Sequence, residues 1–482
     1  MKNVLEKYLN SRDFKYFIEG AYMSATEARP TDVYGDYATA VVPPEETRST
    51  LNIFMVYMGV LAVVAAIFAG SALAVMYDAP RILLVALIGD IILAILGGLI
   101  AYIGGATRAN TYMLLRYPLG RIGAMIAALI VSGISCGILW FAVETWLFGV
   151  TTSVMFPDNW FFSIAVASIW GGLLMMTTAY AGYKGIGVLS YLTVPFWYVL
   201  VTLGFFAALD YAGISPERIW TLGPEKILAD LGPGITFTVG LYAAGCVITP
   251  DVSRYGEKRW SGSVAWAVHV AVFMTLLLFI GAVMTLATGS PNVIVAIAQI
   301  GLGAGALMLA ILGQWTTNDN NLWSGSLAFV NVVPYFKRRT WVLILGIVGT
   351  IIAGVWGGLL GMSLDPFITF GMLLGIAIPP IGGILIADYY IFRPYVLGIK
   401  DPTQRYKFGP GTRYGLINIP GIIALIAGCI IGYYTTYVQV IGAGVINSIL
   451  TAFIIYLVLI TTMHKLGIKY EAGAWIERPT GF

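Results

Sequence analysis

The run Gln314-Trp315-Thr316-Thr317-Asn318-Asp319-Asn320-Asn321 sits between two stretches that otherwise read as membrane helix. Hydroxyls, amides and a carboxylate at bilayer depth are tolerated where they face a bundle interior or a water-filled cavity, and there they mark solute or ion pathways. Transport is the chemistry this run points to. Thr316 and Thr317 offer hydroxyl oxygens near the small Gly313, whose carbonyl can be approached closely, and hard cations such as sodium take oxygen ligands of this kind. Helical threonines also bond their own i−4 carbonyls, but the adjoining Asn-Asp-Asn-Asn exceeds what back-bonding requires.

A second pair, Trp140 and Glu144, is spaced i, i+4 and therefore stacks on one helical face. An aromatic plane beside a carboxylate suits a flat heterocycle, its ring on the indole and its N–H groups donating to Glu144. A carboxylate in the bilayer costs at least ~2.5 kcal/mol, and the alternative is a protonated or hydrogen-bonded structural glutamate. Tyr242 is a candidate for the opposite wall of an aromatic sandwich, although with 13% of the chain aromatic packing alone accounts for it. Asp90 and His269 stand isolated in apolar sequence. A lone interior histidine is more often hydrogen-bonded in place than a proton relay, whereas Asp90 is a candidate for proton coupling or structural bonding. An intramembrane enzyme would pair a nucleophile with a base; His269, Cys136 and Asp319 lie on separate spans, so the chain is read as no enzyme.

The elements that must position these groups are membrane helices. Of 482 residues, 59% are hydrophobic and 11% charged, with a mean hydropathy of +0.84, against roughly 25% charge in a soluble domain. Stretches of about 20 apolar residues, enough to cross ~30 Å of hydrocarbon, fall near 52–76, 82–105, 119–150, 160–182, 186–208, 232–250, 262–288, 293–328, 340–361, 366–391, 418–437 and 440–463. With the N-terminus inside, only Arg81, Arg218 and Lys226 of the 27 lysines and arginines lie outside. That bias predicts twelve spans with both termini cytoplasmic. The net charge of +3 is dispersed over loops and gives no footprint for nucleic acid. Cys136, Cys246 and Cys429 fall in apolar segments and show no disulfide or metal spacing. The first fifty residues lack the apolar core of a cleavable signal.

Span 1 carries Gly59 and Gly70; span 6 carries Gly240, Gly245, Thr249 and Pro250. Two interruptible spans five helices apart are the pointer to an inverted-repeat transporter, while helix packing is the other use of such glycines. The predicted fold is all-α, with residues 1–50 a cytoplasmic tail, 51–391 the transport core of helices 1–10, 392–464 a loop with helices 11 and 12, and 465–482 a second cytoplasmic tail.

At these residues the chain resembles the nucleobase-cation symporters, which include bacterial cytosine permeases and the sodium-hydantoin symporter. The likeness covers about residues 50–465. It is carried by Gln314-Trp315-Thr316-Thr317-Asn318-Asp319-Asn320 in span 8, by Ile378-Pro379-Pro380-Ile381-Gly382-Gly383-Ile384-Leu385-Ile386-Ala387-Asp388-Tyr389 at the end of span 10, and by Pro250-Asp251-Val252-Ser253-Arg254-Tyr255 at the exit of span 6. The resemblance implies ten helices in two inverted repeats, with helices 1 and 6 broken, plus two peripheral helices. It further implies sodium held by the carbonyls of Gly59, Val63 and Gly313 and the hydroxyls of Thr316 and Thr317. Trp140 and Tyr242 would clamp the base, with Asn318 presenting an amide to its edge.

The sequence departs from that pattern at the substrate positions. Where cytosine permeases have a glutamine three residues before the span-3 tryptophan, this chain has Gly137, which offers a base no side chain. Where the hydantoin-like pattern has a glutamine four residues after it, this chain has Glu144. Leu241 replaces the serine before the span-6 aromatic. An ionised carboxylate only accepts hydrogen bonds, whereas an amide also donates, so Glu144 favours a ring edge with two adjacent N–H donors, or a cation.

The function expected is import of a nucleobase or related flat heterocycle (cytosine, purine, hydantoin or allantoin-like) by cation symport across the plasma membrane. Sodium is the coupling ion; the alternatives are proton coupling or a cationic heterocycle such as a vitamin precursor. A channel or a non-transporting receptor shares the polar membrane interior, but the twin broken spans favour a carrier. No cofactor beyond the coupling ion, no nucleic acid and no obligate protein partner are expected; the partners are a small-molecule substrate and the lipid bilayer.

Overall fold

A computed structural model describes residues 35–359, 363–408, 412 and 414–467. Most of the two expected tails (residues 1–34 and 468–482) lies outside the described residues.

Apolar runs without charge become helices because lipid leaves backbone groups no other partner. Among the described residues twelve spans result. The first is a bent pair, α1a (Thr50–Leu61) and α1b (Val64–Ala74), turned through 54°. It is followed by α2 (Ala79–Thr107), α3 (Thr111–Met155), α4 (Ile164–Ala181), α5 (Tyr183–Ala212), α6 (Gly232–Ser253) and α7 (Ser261–Thr288). After a short helix at Val293–Gln299 come α8 (Gly303–Val332), α9 (Arg338–Leu359), α10 (Asp365–Val396), α11 (Ile419–Val438) and α12 (Gly444–Lys465). The eighth apolar stretch of the sequence, 293–328, thus divides at Gly301, which adopts φ 77°.

The two halves pack alike. Gly59 of α1a lies against Ser190 of α5, and Gly240 of α6 lies against the Gly371 carbonyl of α10. Likewise α1b meets α7, where Gly70 touches the Leu278 carbonyl, and α6 meets α2, where Gly89 touches Thr238. Helix 1 therefore pairs with helices 5 and 7 as helix 6 pairs with helices 10 and 2, the arrangement an inverted repeat requires. The interruption in α6 is gentler than that in α1: its backbone leaves helical values at Tyr242 (φ −124°, ψ 15°) and again at Ile248 (φ −89°, ψ 10°).

Helix α3 carries its own irregularities. Gly120, at φ 73°, follows Pro118, and Leu129–Trp140 is wound as π-helix. Such wide turns are often found where a helix aims side chains into a site. Here the π-turn ends on Trp140.

Candidate functional site

The site forms where α1 breaks. Ala62 (φ −72°, ψ 70°) makes an inverse γ-turn, closed by the Val63 amide donating to the Leu61 carbonyl at 2.8 Å. Val63 is extended (φ −144°, ψ 146°). The amides of Val63 and Val64 are thereby withdrawn from the carbonyls of Gly59 and Val60, and unpaired peptide groups at this depth cost several kcal/mol each.

Helix α8 supplies replacements. The Val64 amide donates to Gln314 Oε1 at 3.2 Å, capping α1b, and the Thr317 hydroxyl donates to the Val60 carbonyl at 2.8 Å. The Thr317 hydroxyl also lies 3.2 Å from the Gly313 carbonyl, which accepts from the Thr316 hydroxyl at 2.9 Å. Gly313 must be glycine for this approach, because a Cβ there would stand 2.6 Å from the Ala62 carbonyl oxygen.

Gly59, Val63, Gly313, Thr316 and Thr317 are thus gathered at one junction. Their neutral, hard oxygens are the donor class that sodium takes. Sequence reading passed over Val60, whose carbonyl is the one bonded to Thr317. The Val63 carbonyl heads α1b and accepts from the Ala66 amide at 3.3 Å.

A cavity of about 90 Å³ opens beside the junction, walled by Tyr57, Trp140, Tyr242 and Trp266. That is room for several waters, since one needs only ~10–15 Å³. Trp140 meets the ring of Phe370 on α10 edge-on, with centroids 5.1 Å apart. Tyr242, at the kink of α6, tilts against Trp266 at 5.0 Å.

Glu144 also lines the cavity. Its Oε2 is buried without a hydrogen-bond partner among the described residues. Its backbone carbonyl accepts from Gln314 Nε2 at 3.0 Å. One glutamine therefore touches both the broken helix and the helix that carries the carboxylate.

Two sequence-based assignments are corrected. Asn318 does not face the cavity. Its amide nitrogen lies 3.0 Å from the Thr145 hydroxyl, 3.2 Å from the Phe141 carbonyl and 3.2 Å from the Met175 sulfur, while its oxygen accepts from Asn321 at 3.3 Å. The reason is helical phase: Thr317, Asn320, Asn321 and Ser324, spaced i, i+3, i+4, i+7, form the stripe that lines the cavity, and Asn318 lies one step around the helix from it. That periodicity was present in the sequence.

Gly137 is also no part of the cavity wall. A Cβ there would meet the Cα of Gly325 at 3.0 Å, so the residue serves a close crossing of α3 and α8.

The remaining buried polar groups sort by their partners. His269 Nδ1 donates to the Trp266 carbonyl at 3.1 Å and its Nε2 accepts from the Tyr242 hydroxyl at 3.3 Å, an imidazole with both nitrogens engaged behind the aromatic wall. Asp90 accepts from the Thr275 hydroxyl at 2.7 Å through Oδ2. Asp319 accepts from the Asn320 amide at 3.0 Å through Oδ1. The second oxygen of each aspartate is buried without a partner among the described residues. Asp251, in the motif at the end of α6, accepts from the Thr111 amide at 3.0 Å and the Tyr112 hydroxyl at 2.8 Å. It fixes the start of α3.

Residues 41–459 match a family model described as a permease for cytosine/purines, uracil, thiamine and allantoin. The cytosine permease of Escherichia coli strain K12 is 26% identical over 430 residues, 89% of this chain and 95% of that protein. The hydantoin permease of Microbacterium maritypicum is 25% identical over 312 residues, 59% of this chain and 61% of that protein. A solved nucleobase-cation-symport-1 family transporter, closed with bromovinylhydantoin bound, superposes with a TM-score of 0.73 at 17% identity, over 91% of this chain and 96% of that one; this likeness bears on the fold. The match over residues 41–459 shows that the chain belongs to the membrane permease family for cytosine/purines, uracil, thiamine and allantoin.

Proposed function

We propose that this permease imports a nucleobase or related flat heterocycle into the cell across the plasma membrane by sodium symport. The observation that carries the reading is the sharing of one helix break by two sets of groups. Neutral oxygens of α1 and α8 gather at it, and an aromatic cavity with a carboxylate opens beside them. Sodium drawn to the Val60, Gly313, Thr316 and Thr317 oxygens would order the junction of α1 and α8. Gln314 would pass that order to the backbone of Glu144, and substrate binding would tighten sodium reciprocally.

In this reading α1 to α10 form the moving core, α11 and α12 are peripheral, and both termini are cytoplasmic. Phe367 and Phe370 place α10 over Trp140, and Gly371 and Gly375 pack tightly on α6, so bending of α10 would uncover the substrate. Proton coupling is the second reading. It is favoured by the unpartnered oxygens of Asp90, Glu144 and Asp319.

The test is uptake by purified protein in liposomes. Labelled cytosine, guanine, adenine, uracil, hydantoin and allantoin are offered with and without an inward sodium gradient at fixed pH. Accumulation of one compound that requires the sodium gradient is the expected result. Uptake that ignores sodium and follows an imposed pH gradient would overturn sodium in favour of the proton.

A further inference from the structure

The environment of Glu144 narrows the substrate class, and this step rests on the nucleobase reading above. Glu144 supplies a carboxyl group to the cavity wall; among the described residues no lysine, arginine or histidine shares that wall. The amide beside it, Gln314, gives its oxygen to the Val64 amide and its nitrogen to the Glu144 carbonyl, and Glu144 Oε2 still has no partner among the described residues. Cys136 and Leu241, which border the same space, bring no strong donor. A buried carboxylate oxygen left without a donor is costly. In a preformed cavity the missing donor is supplied by the occupant, and an ionised carboxylate has only acceptors to present.

We infer that Glu144 selects a heterocycle that offers two adjacent donors on one edge, a ring N–H and an exocyclic amino group, held in parallel against the carboxylate. Guanine and isocytosine have this edge. Hypoxanthine lacks the amino group of guanine, and uracil carries a carbonyl where isocytosine has its amino group, so each offers the carboxylate one donor fewer. The aromatic walls accept all four rings equally, so the edge alone separates the members of each pair.

Direct binding of the four radiolabelled bases to the purified full chain in detergent, at saturating sodium, tests this. Guanine should bind about tenfold or more tighter than hypoxanthine, and isocytosine than uracil by a similar factor, as expected for one charge-assisted hydrogen bond. Glu144→Gln, which turns one acceptor into a donor, should collapse both ratios toward one. If hypoxanthine matches guanine and uracil matches isocytosine on the unmodified protein, the role of Glu144 is overturned while the nucleobase reading stands. If none of the four binds to protein that remains folded and monodisperse, the role of Glu144 is overturned, and the nucleobase reading falls with it when cytosine, adenine, hydantoin and allantoin also fail to bind. The matched pairs on the unmodified protein keep the test decisive even if Glu144→Gln fails to fold.

Discussion

The side-chain oxygen of Gln314 caps the Val64 amide at 3.2 Å, so the start of α1b is held by a residue from α8 rather than by its own turn. The N-cap residue of α1b, Val63, has no side chain able to do this. Gln314→Ala removes the cap and also frees the Glu144 carbonyl. Loss of two buried hydrogen bonds should cost about 1–3 kcal/mol of stability, read as a lower midpoint of thermal unfolding in detergent. A second consequence is specific to coupling: the factor by which sodium raises substrate affinity should shrink toward one. Gln314→Glu keeps the acceptor for Val64 and should recover more of the stability than of the coupling. An unchanged sodium effect on affinity in Gln314→Ala would show that coupling runs elsewhere.

Thr317 bridges the two helices of the proposed sodium junction through its hydroxyl alone, since the Val60 carbonyl lies 2.8 Å from Oγ1. Thr317→Ala should raise the sodium concentration for half-maximal uptake by about tenfold, as fits loss of roughly 1.4 kcal/mol. Thr317→Ser should restore it. Sodium activation indifferent to both changes would remove Thr317 from the ion site.

At Gly137 the constraint is steric. Gly137 and Gly325 present Cα to Cα where α3 crosses α8, so the glutamine that cytosine permeases carry there cannot be transplanted into this chain. Gly137→Gln should lower thermal stability by about 1–3 kcal/mol as an overpacked contact and should not improve cytosine binding. A stable Gly137→Gln variant with tighter cytosine binding would contradict the crossing described.

The contrast between Gly137 and Thr317 shows what the sequence reveals and what it hides. The spans were legible because each apolar run has one structural solution in lipid, and the break in α1 was legible through Gly59 and the polar run of α8. Facing was harder. Asn318 and Asn321 are alike in type, and only the i, i+3, i+4, i+7 stripe from Thr317 to Ser324 separates the cavity-lining amide from the one that ties α8 to α3. Gly137 reads as a missing polar contact until its partner Gly325, 188 positions away in sequence, is seen against it. The double engagement of Gln314 depends on two helices distant in sequence and had no local signal.

Trp140 stands at the end of the π-helical turn, against Phe370 and lining the cavity, and in the proposed function its indole would stack on a flat ring. Trp140→Ala should weaken binding of any planar substrate by at least about tenfold, whereas Trp140→Phe, which keeps a smaller aromatic face, should recover part of it. Equal affinity in the alanine variant, measured on protein of normal thermal stability, would take the indole out of the substrate site.

Asp36 gathers groups from three helices at one end of the bundle. Its Oδ2 lies 3.0 Å from Arg338 Nε of α9 and 2.7 Å from Trp323 Nε1 of α8, and it accepts from the Tyr183 amide of α5 at 3.3 Å. The carbonyls of Asp36 and Tyr37 accept from the guanidinium of Arg254, which directly follows α6, at 2.7 and 2.8 Å. The chain reaches this position by adopting left-handed backbone at Asp36 (φ 51°) and Tyr37 (φ 52°), a conformation that aspartate tolerates better than most residues. A carboxylate bonded to helices of both halves resists their separation, so Asp36→Ala should do two things. Thermal stability should fall by about 1.5–3 kcal/mol, the worth of a hydrogen bond to a charged group. The cavity should open more often at this end, read as faster thiol labelling of Cys136, a buried cysteine in the cavity wall. Asp36→Asn keeps acceptor and size but not charge, and should fall between. Lost stability with unchanged labelling of Cys136 would make the clasp a structural fixture only; faster labelling in both variants, graded with charge, would make its release part of the opening of the bundle.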